Sequence, residues 1–377
     1  MKFEKKDLQK FLQEPLPQQY QRIMAKIMEA IVWSHGEIVV AFSGGKDSAL
    51  LLDMYCDIIS TFYPHLKNKP VTVAWANTTN ETKNMKEFVP FFISRCEQKY
   101  ALKIDFQEIR PANNQTFATV ARDEGLPFVS KMVAGTLRKM KNSMDENGIT
   151  YHDIKDLHHP TVYCRDALRE MGLNDTTVLA MTGWSCRRED FGTQFVLPKQ
   201  YMPLLNIKEL TGCDIHFSEN CCNILKKEPM SRVIYPHTMT GEQAVESRTR
   251  ENAWLQNGCN YTTPNGGIKS KPLGAVSLDA ILYAIKEREV PLSADYGNVV
   301  YCDQKHCYKC TGAQRTGCSL CGFGIKFDPN RFVRLQKDEP AKIAFAFKPF
   351  DQGGLGYKEV CGVLNTHCKL NIAIPKV

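Results

Sequence analysis

The stretch from Glu37 to Tyr55 constrains the fold of this chain more than any other part of the sequence. An apolar run, Ile38 to Phe42, predicts a short buried strand, and apolar side chains at helical spacing follow from Leu51 onward. A helix that starts directly after a glycine turn presents free backbone N–H groups and a positive dipole end, which suit an anion. The residues predicted to surround this anion are Ser43, Gly44, Gly45, Lys46 and Ser48.

The spacing of this turn differs from the Walker pattern, which places more residues between its first glycine and its Gly-Lys pair. The segment Ser43–Ser48 instead resembles the PP-loop of the N-type ATP pyrophosphatases and of the sulfonucleotide (PAPS/APS) reductases. The resemblance implies that the turn binds nucleotide phosphates and that Lys46 and Asp47 act in catalysis. It also implies that Asp47 either binds Mg²⁺ or orients the loop.

Further strands and helices alternate after this turn. Residues 70–77 predict a second strand, 82–101 a helix and 102–109 a third strand, so we expect a parallel, Rossmann-like α/β sheet with its ligand at the carboxyl ends of the strands. The segments 77–81 and 125–131 resemble the corresponding segments of the reductase relatives. The residues that this resemblance adds to the nucleotide site are Asn77, Thr78, Glu81 and Lys131.

A second motif, residues 239–250, resembles the Gly-x-Arg-x-x-Glu-Ser-x-x-Arg motif of the reductases. The residues that it adds to the nucleotide site are Gly241, Glu246, Ser247 and Arg250. Gln243 stands where the family has its first arginine, so one fixed charge is missing from the phosphate site. An alternative copy of the motif is Thr182-Gly-Trp with Arg187, Arg188 and Glu189.

The chain has 15 cysteines, which in a reducing compartment indicates metal ligands or buried thiols rather than disulfides. Adjacent cysteines rarely converge on one zinc ion, whereas separate irons of a cluster can each bind one thiolate. The pair Cys221-Cys222 and the distant Cys318-x-x-Cys321 resemble the [4Fe-4S] pattern of the assimilatory APS reductases. The alternative is a zinc site, whose ligands would be Cys307, Cys310, Cys318 and Cys321.

The reductases also carry a C-terminal cysteine that attacks the sulfur of the sulfonucleotide. The nearest approach here is Cys361, with Glu359 and His367 displaced from the family spacing. Cys361 is therefore a candidate nucleophile without the arrangement that would lower its pKa.

The 377 residues predict more than one domain: a helical lead-in at 1–35, a nucleotide-binding domain at 36–255 and a cysteine-rich module at 256–377 that completes the iron–sulfur site. The net charge of +7 fits anionic ligands in general. The charged N-terminus resembles no signal peptide, and no apolar run is long enough for a membrane span, so we expect a cytoplasmic protein without membrane contact.

The expected function is that of an enzyme of the broad PAPS reductase family, which includes the Dnd-type DNA phosphorothioation proteins. It would bind an adenine nucleotide, ATP in preference to APS or PAPS, and use it in sulfur transfer or thiolation. The alternatives are reduction of APS or PAPS to sulfite, and nucleotide sensing without turnover. The partners that this family implies are a sulfur donor or redox protein, a nucleic-acid acceptor and a second copy of the chain.

Overall fold

The structure is a computed structural model that describes residues 2–112, 114–184, 195–233 and 235–376. The strands are β1 Val39–Ala41, β2 Val71–Ala76, β3 Ile104–Ile109, β4 Phe128–Val129, β5 Thr238–Met239, β6 Asn260–Thr262, β7 Ile268–Ser270, β8 Val299–Cys302, β9 Cys307–Cys310 and β10 Gly322–Phe323. The helices are α1 Lys5–Leu12, α2 Leu16–Trp33, α3 Lys46–Phe62, α4 Lys83–Tyr100, α5 Phe117–Glu124, α6 Lys131–Glu146, α7 Tyr151–Ile154, α8 Val162–Glu170, α9 Asp175–Thr182, α10 Ile207–Thr211, α11 Asn220–Cys222, α12 Glu228–Ser231, α13 Arg248–Asn257, α14 Leu278–Glu287, α15 Arg331–Asp338, α16 Pro340–Phe347 and α17 Tyr357–Cys368.

The chain forms two compact units, and both are discontinuous in sequence. Unit 1 comprises residues 1–77, 81–110 and 229–317, and unit 2 comprises residues 78–80, 111–228 and 318–377. These units do not follow the predicted boundaries at 35/36 and 255/256. The N-terminal helices belong to the same unit as the sheet, and the C-terminal cysteine-rich segment is divided between the units at Gly317 and Cys318.

Unit 1 contains a sheet with the strand order β3-β2-β1-β5-β7-β6. All neighbouring strands in it are parallel except the pair β6–β7, which is antiparallel. The prediction of an α/β fold with a mostly parallel sheet is confirmed. In addition, β1 pairs with β2 on one side and with β5 on the other. The chain therefore adds strands in one direction from β1 as far as β3 and in the other direction from β5 onward, so the strand order reverses at β1.

Helix α3 packs on this sheet through an almost continuous apolar surface. Its residues from Ala49 to Leu52 are fully buried, and so are Tyr55 and Cys56. A helix that is apolar on nearly all sides must be covered on nearly all sides. Helices α2, α4 and α14 contribute to the same core, which therefore fixes the start of α3 with respect to β1.

A buried carboxylate ties three of these helices together. Asp53 of α3 is fully buried and accepts hydrogen bonds from Arg95 Nη1 at 2.9 Å, Tyr100 Oη at 2.8 Å and Arg288 Nε at 2.8 Å. Burial alone would raise the pKa of Asp53, but Arg288, Arg95 and Lys99 together hold that pKa below its ordinary value. These cations compensate the charge of Asp53, so the carboxylate links the helices without leaving an unpaired ion in the core.

Unit 2 is mainly helical and contains one short parallel pair of strands, β4 with β10. Its core is aromatic: Phe128, Phe332, Phe347 and Tyr357 pack within ring-centroid distances of 4.8–6.1 Å. The pairing of β4 with β10 holds the Cys318–Cys321 segment against the segment before α6. No helix of the described residues has both the length and the apolarity that a membrane span requires.

Candidate functional site

The 43–48 loop lies in unit 1, at the carboxyl end of β1. Ser48 Oγ accepts a hydrogen bond from the Ser43 backbone N–H at 3.1 Å and donates to the Gly45 carbonyl at 2.9 Å. Gly44 has φ +73°, and a Cβ there would collide with the sulfur of Met85. Glycine is favoured at this position, because φ is positive and a side chain would require Met85 to move. The loop is thus a closed turn that leads directly into the first turn of α3.

The charged side chains of the loop contact each other and Gln243. Lys46 is buried, and its Nζ lies 3.0 Å from Asp47 Oδ2. The other oxygen of Asp47, Oδ1, accepts a hydrogen bond from Gln243 Nε2 at 2.9 Å. Gln243, which replaces an arginine of the resembled motif, therefore fixes Asp47. Each carboxylate oxygen thus has one partner, as the orienting role for Asp47 requires, and each keeps a second lone pair.

The segment after β5 lies beside the 43–48 loop. Because β5 and β1 are parallel neighbours, the residues that follow them meet at the same edge of the sheet. A Cβ on Gly241 would lie 3.1 Å from the Asp47 carbonyl carbon, so Gly241 packs directly on the start of α3. The structure thus brings Gly241 together with the loop, as the motif at 239–250 predicts. The alternative residues Arg187, Arg188 and Glu189 lie outside the described residues.

The remaining residues of this motif contact one another. Ser247 is the N-cap of α13 and accepts a hydrogen bond from the Arg250 backbone N–H at 3.3 Å. Arg250 forms an ion pair with Glu246, and Arg315 Nη2 lies 3.7 Å from the same carboxylate. Glu246 therefore positions two arginines, while Ser247 has a structural role in starting the helix.

Tyr296 is a residue of this site that the sequence did not single out. Its side chain is buried, and its hydroxyl accepts a hydrogen bond from the Lys46 backbone N–H at 3.2 Å and lies 2.8 Å from Thr316 Oγ1. A Cβ on Gly45 would lie 3.3 Å from the same hydroxyl. Tyr296 thus caps the first turn of α3 from a position 250 residues later in the chain.

Replacing Tyr296 by phenylalanine is expected to lower the free energy of unfolding by about 1–3 kcal/mol, because the buried Lys46 N–H loses its acceptor. Denaturant unfolding of the purified protein measures this. Tyr301→Phe is the control, since Tyr301 is 47% exposed and its loss of a hydroxyl should change little. Equal stability of the two variants would contradict the capping role.

The segment 77–81 is divided between the units. In unit 1, Asn77 follows β2 and donates a hydrogen bond to Glu108 Oε1 at 2.5 Å, and Glu81 is buried. In unit 2, the Thr78 hydroxyl lies 3.3 Å from Cys318 Sγ. The structure therefore places Thr78 at a cysteine, whereas the sequence assigned it to the nucleotide.

The four cysteines Cys221, Cys222, Cys318 and Cys321, here called the four-cysteine group, lie together in unit 2. A hydrogen bond with Cys222, burial and the neighbouring thiols of Cys321 and Cys318 all raise the pKa of Cys221. The hydrogen bond from Cys221 lowers the pKa of Cys222 against the effect of burial, and Lys131 and Lys226 lower it further. Burial, with Cys318, raises the pKa of Cys321 to about 12. Lys131, predicted for the nucleotide site, is therefore a neighbour of this group.

Two buried N–H donors beside this group have no acceptor among the described residues: Nδ2 of Asn80 and Nε of Arg331. Asn80 is 2% exposed, and its Oδ1 accepts from Ser319 Oγ at 2.8 Å. Arg331 Nη2 donates to the Cys318 carbonyl at 2.8 Å, and Arg331 lowers the pKa of Cys321. A buried donor without an acceptor is unfavourable in a folded protein. Asn80 and Arg331 therefore each present a donor for which the described residues supply no acceptor.

The cysteines of the zinc alternative are arranged differently. Cys307 and Cys310 belong to β9, where residues three apart point to opposite faces of the strand. Cys307 is opposite Cys302, and Cys310 is opposite Val299. Across residues 2–112, 114–184, 195–233 and 235–376, no three His, Cys, Asp or Glu side chains converge where one metal ion would fit, and this holds for the four-cysteine group as well as for the zinc alternative.

The surroundings of Cys361 do not favour its predicted role as a nucleophile. Cys361 is 0% exposed in the aromatic core of unit 2, within α17. Burial raises the pKa of its thiol to about 12. A nucleophilic cysteine needs the opposite, namely access and a lowered pKa.

Comparison with known proteins leaves the family of the chain open. No protein-family model matches the sequence, and none of the curated proteins matches it. Among solved structures, the chain is similar to a phosphoadenylyl-sulfate (PAPS) reductase from Candida auris in a phosphate complex, with a TM-score of 0.33 and 14% identity over 71% of this chain and 82% of that one. At this identity and TM-score the similarity assigns neither a family nor a role to the chain.

Proposed function

We propose that the protein is a PP-loop enzyme that binds an adenine nucleotide, ATP in preference to APS or PAPS, and uses it in sulfur transfer or thiolation with the help of a [4Fe-4S] cluster. The observation that carries the proposal is the convergence of the four-cysteine group from two segments far apart in the sequence. The 43–48 loop at the point where the sheet order reverses supports the nucleotide part.

The 43–48 loop supplies the groups that a phosphate chain requires. The first turn of α3 has a positive dipole end, and its Lys46 N–H, bonded to Tyr296 Oη in this structure, would have to exchange that partner to bind a phosphate. The Lys46 side chain adds a charge in a buried position where electrostatic interactions are strong. Asp47 and Gln243 orient Lys46 and the loop beforehand. Pre-placed donors stabilise the charge that develops when an α–β phosphate bond breaks. Asp47 would orient the loop through these two contacts, and the remaining lone pairs of its carboxylate would be available to Mg²⁺.

The four-cysteine group fits a cluster better than it fits one zinc ion. In a [4Fe-4S] cluster each thiolate binds a different iron, so the four sulfur atoms surround a body larger than one ion. The unsatisfied donors of Asn80 and Arg331 are suited to the sulfur atoms of such a cluster. Lys131 and Lys226, which act on Cys222, and Arg331, which acts on Cys321, would balance its negative charge. When bound, the cluster would supply electron transfer or polarise a sulfur-bearing substrate.

Two other functions remain as alternatives. Reduction of APS or PAPS by a nucleophilic Cys361 is disfavoured, because that thiol is buried and has a raised pKa. Nucleotide sensing without turnover is disfavoured by the intact set of donors in the 43–48 loop. The proposal includes an acceptor for the sulfur, which is a nucleic acid or a small molecule. It also includes a partner protein that donates the sulfur or supplies electrons.

The experiment is incubation of iron-reconstituted protein with ATP, APS and PAPS in separate reactions, with assays for pyrophosphate and sulfite. We expect pyrophosphate from ATP and no sulfite from the sulfonucleotides. Sulfite that persists in the Cys361→Ser variant, or the absence of any product and any nucleotide affinity, would contradict the proposal.

A further inference from the structure

The hairpin formed by β8 and β9, here called the cysteine hairpin (residues 299–310), contains three cysteines that the proposed function does not use. Its two strands pair antiparallel, and Cys302 and Cys307 are opposite each other in the last register pair before the connection. The connecting residues 303–306 are all exposed, and both cysteines are partly exposed.

The register alone brings the two cysteines to a separation that a disulfide can span. Directly opposite residues of an antiparallel pair have Cα atoms about 4.5 or 5.5 Å apart, depending on the hydrogen-bond pattern. Disulfides join residues whose Cα atoms are about 4.4–6.8 Å apart, so both patterns fall in the permitted range. Opposite residues also project from the same face of the ladder, so the two thiols face the same way.

The third cysteine of the hairpin provides an internal contrast. Cys310 is 3% exposed and pairs with Val299. Burial raises the pKa of the Cys310 thiol against the opposing effect of Lys46 nearby. A thiol that is buried and poorly ionised is a weak partner in exchange. Within the hairpin, the geometry thus distinguishes one accessible pair from one inert thiol.

We propose that Cys302 and Cys307 form a redox-active dithiol that exchanges with the disulfides of low-molecular-weight thiols, of which oxidised glutathione is an example. The thiolate of one cysteine attacks a sulfur of the small disulfide, forms a mixed disulfide and expels one thiolate. The second cysteine then attacks the protein sulfur of the mixed disulfide and expels the other. The protein pair loses two electrons, the small disulfide gains them, and the two released thiolates take up the two cysteine protons to become thiols.

This site is separate from the proposed iron and nucleotide chemistry, because neither residue belongs to the four-cysteine group or to the 43–48 loop. In a reducing compartment the pair would be a dithiol at rest and would oxidise when the ratio of oxidised to reduced thiol rises. The hairpin does not need to unfold for this, since the pair is opposite in the existing register.

The test equilibrates the full-length protein with buffers of reduced and oxidised glutathione, blocks free thiols under acid and maps cysteines by mass spectrometry. Lys305 lies between the two cysteines, so trypsin separates them and a disulfide remains visible as two linked peptides. We expect the Cys302–Cys307 link to rise with the proportion of oxidised glutathione and to disappear on reduction. In Cys302→Ser, Cys307 should carry glutathione instead.

Cys310→Ser is the matched control and should form the Cys302–Cys307 link as the wild type does. The proposal is overturned if Cys302 and Cys307 are both recovered as free thiols in oxidised glutathione. It is equally overturned if Cys310 replaces either residue in the link, or if bound zinc protects Cys307 from exchange.

Discussion

Replacing both Lys46 and Ser48 by alanine is expected to abolish detectable ATP binding. Lys46 is a buried cation at the start of α3, and Ser48 Oγ closes the loop through Ser43 and Gly45. A charge-assisted hydrogen bond contributes about 1.5–3 kcal/mol, so Lys46→Ala alone should weaken ATP binding roughly 10- to 150-fold. Calorimetric titration of ATP measures both variants.

The control for this prediction is Lys69→Ala, which removes a lysine whose side chain is 55% exposed and pairs with Glu37 on the surface. Its ATP affinity should equal that of the wild type. The free energy of unfolding is measured in parallel, so that a lost site can be separated from a lost fold. Unchanged affinity in a folded double variant would remove the 43–48 loop from the function.

Replacing Asp53 by alanine is expected to lower the free energy of unfolding of unit 1 by about 3–5 kcal/mol. The change leaves Arg95 without this carboxylate and Arg288 with Asp57 alone, and removing one partner of a buried ion pair is strongly destabilising. Thermal or denaturant unfolding measures the loss. Asp57→Ala is the control: Asp57 pairs with Arg288 Nη1 at 3.0 Å but is 35% exposed, so its removal should cost about 1 kcal/mol or less.

The same carboxylate predicts a pH dependence. Because the pKa of Asp53 is lower in the folded protein than in the unfolded chain, its contribution to stability is fully present above the unfolded pKa. The contribution is lost as the pH falls below that value and through the folded pKa. The wild type should therefore lose more stability than Asp53→Ala on acidification from neutral pH to below about pH 4. Parallel pH profiles of the two proteins would contradict this.

Much of unit 1 follows from local sequence patterns. The apolar run before Ser43 and the helical spacing after it predict β1 and α3, and the alternation up to residue 109 predicts β2, α4 and β3. The structure has these elements with boundaries shifted by one or two residues. Such patterns are informative here because each element buries a continuous apolar surface, which requires a regular spacing.

The division into units could not be predicted in the same way. Residues 78–80 belong to unit 2 although the residues on both sides belong to unit 1, and Gly317 and Cys318 fall in different units. The amino-acid composition does not change at either place. Membership of a unit depends instead on contacts between residues far apart in the sequence, such as that of Asn80 with Ser319. Tyr296 was missed for the same reason, because a tyrosine that caps a distant helix has no local signature.

The cysteine pattern predicted neighbours without predicting their surroundings. Cys222, Cys318 and Cys321 lie near enough to Cys221 to affect its pKa, while their role as metal ligands stays a prediction. The sequence did not show that Cys361 is fully buried in the core of unit 2, because burial of a thiol depends on the packing of several helices. It also could not show that Gln243 binds Asp47, although the replacement of an arginine at that position marked it as unusual.

The central claim is that the four-cysteine group holds an iron–sulfur cluster, and metal analysis of protein purified without oxygen tests it most directly. The account predicts about four irons per chain in the wild type and in Cys307→Ser, and their loss in Cys222→Ser. Cys307 is a matched control, because it is a partly exposed cysteine of a different unit. One zinc per chain that is lost on changing Cys307 and retained on changing Cys222 would contradict the account.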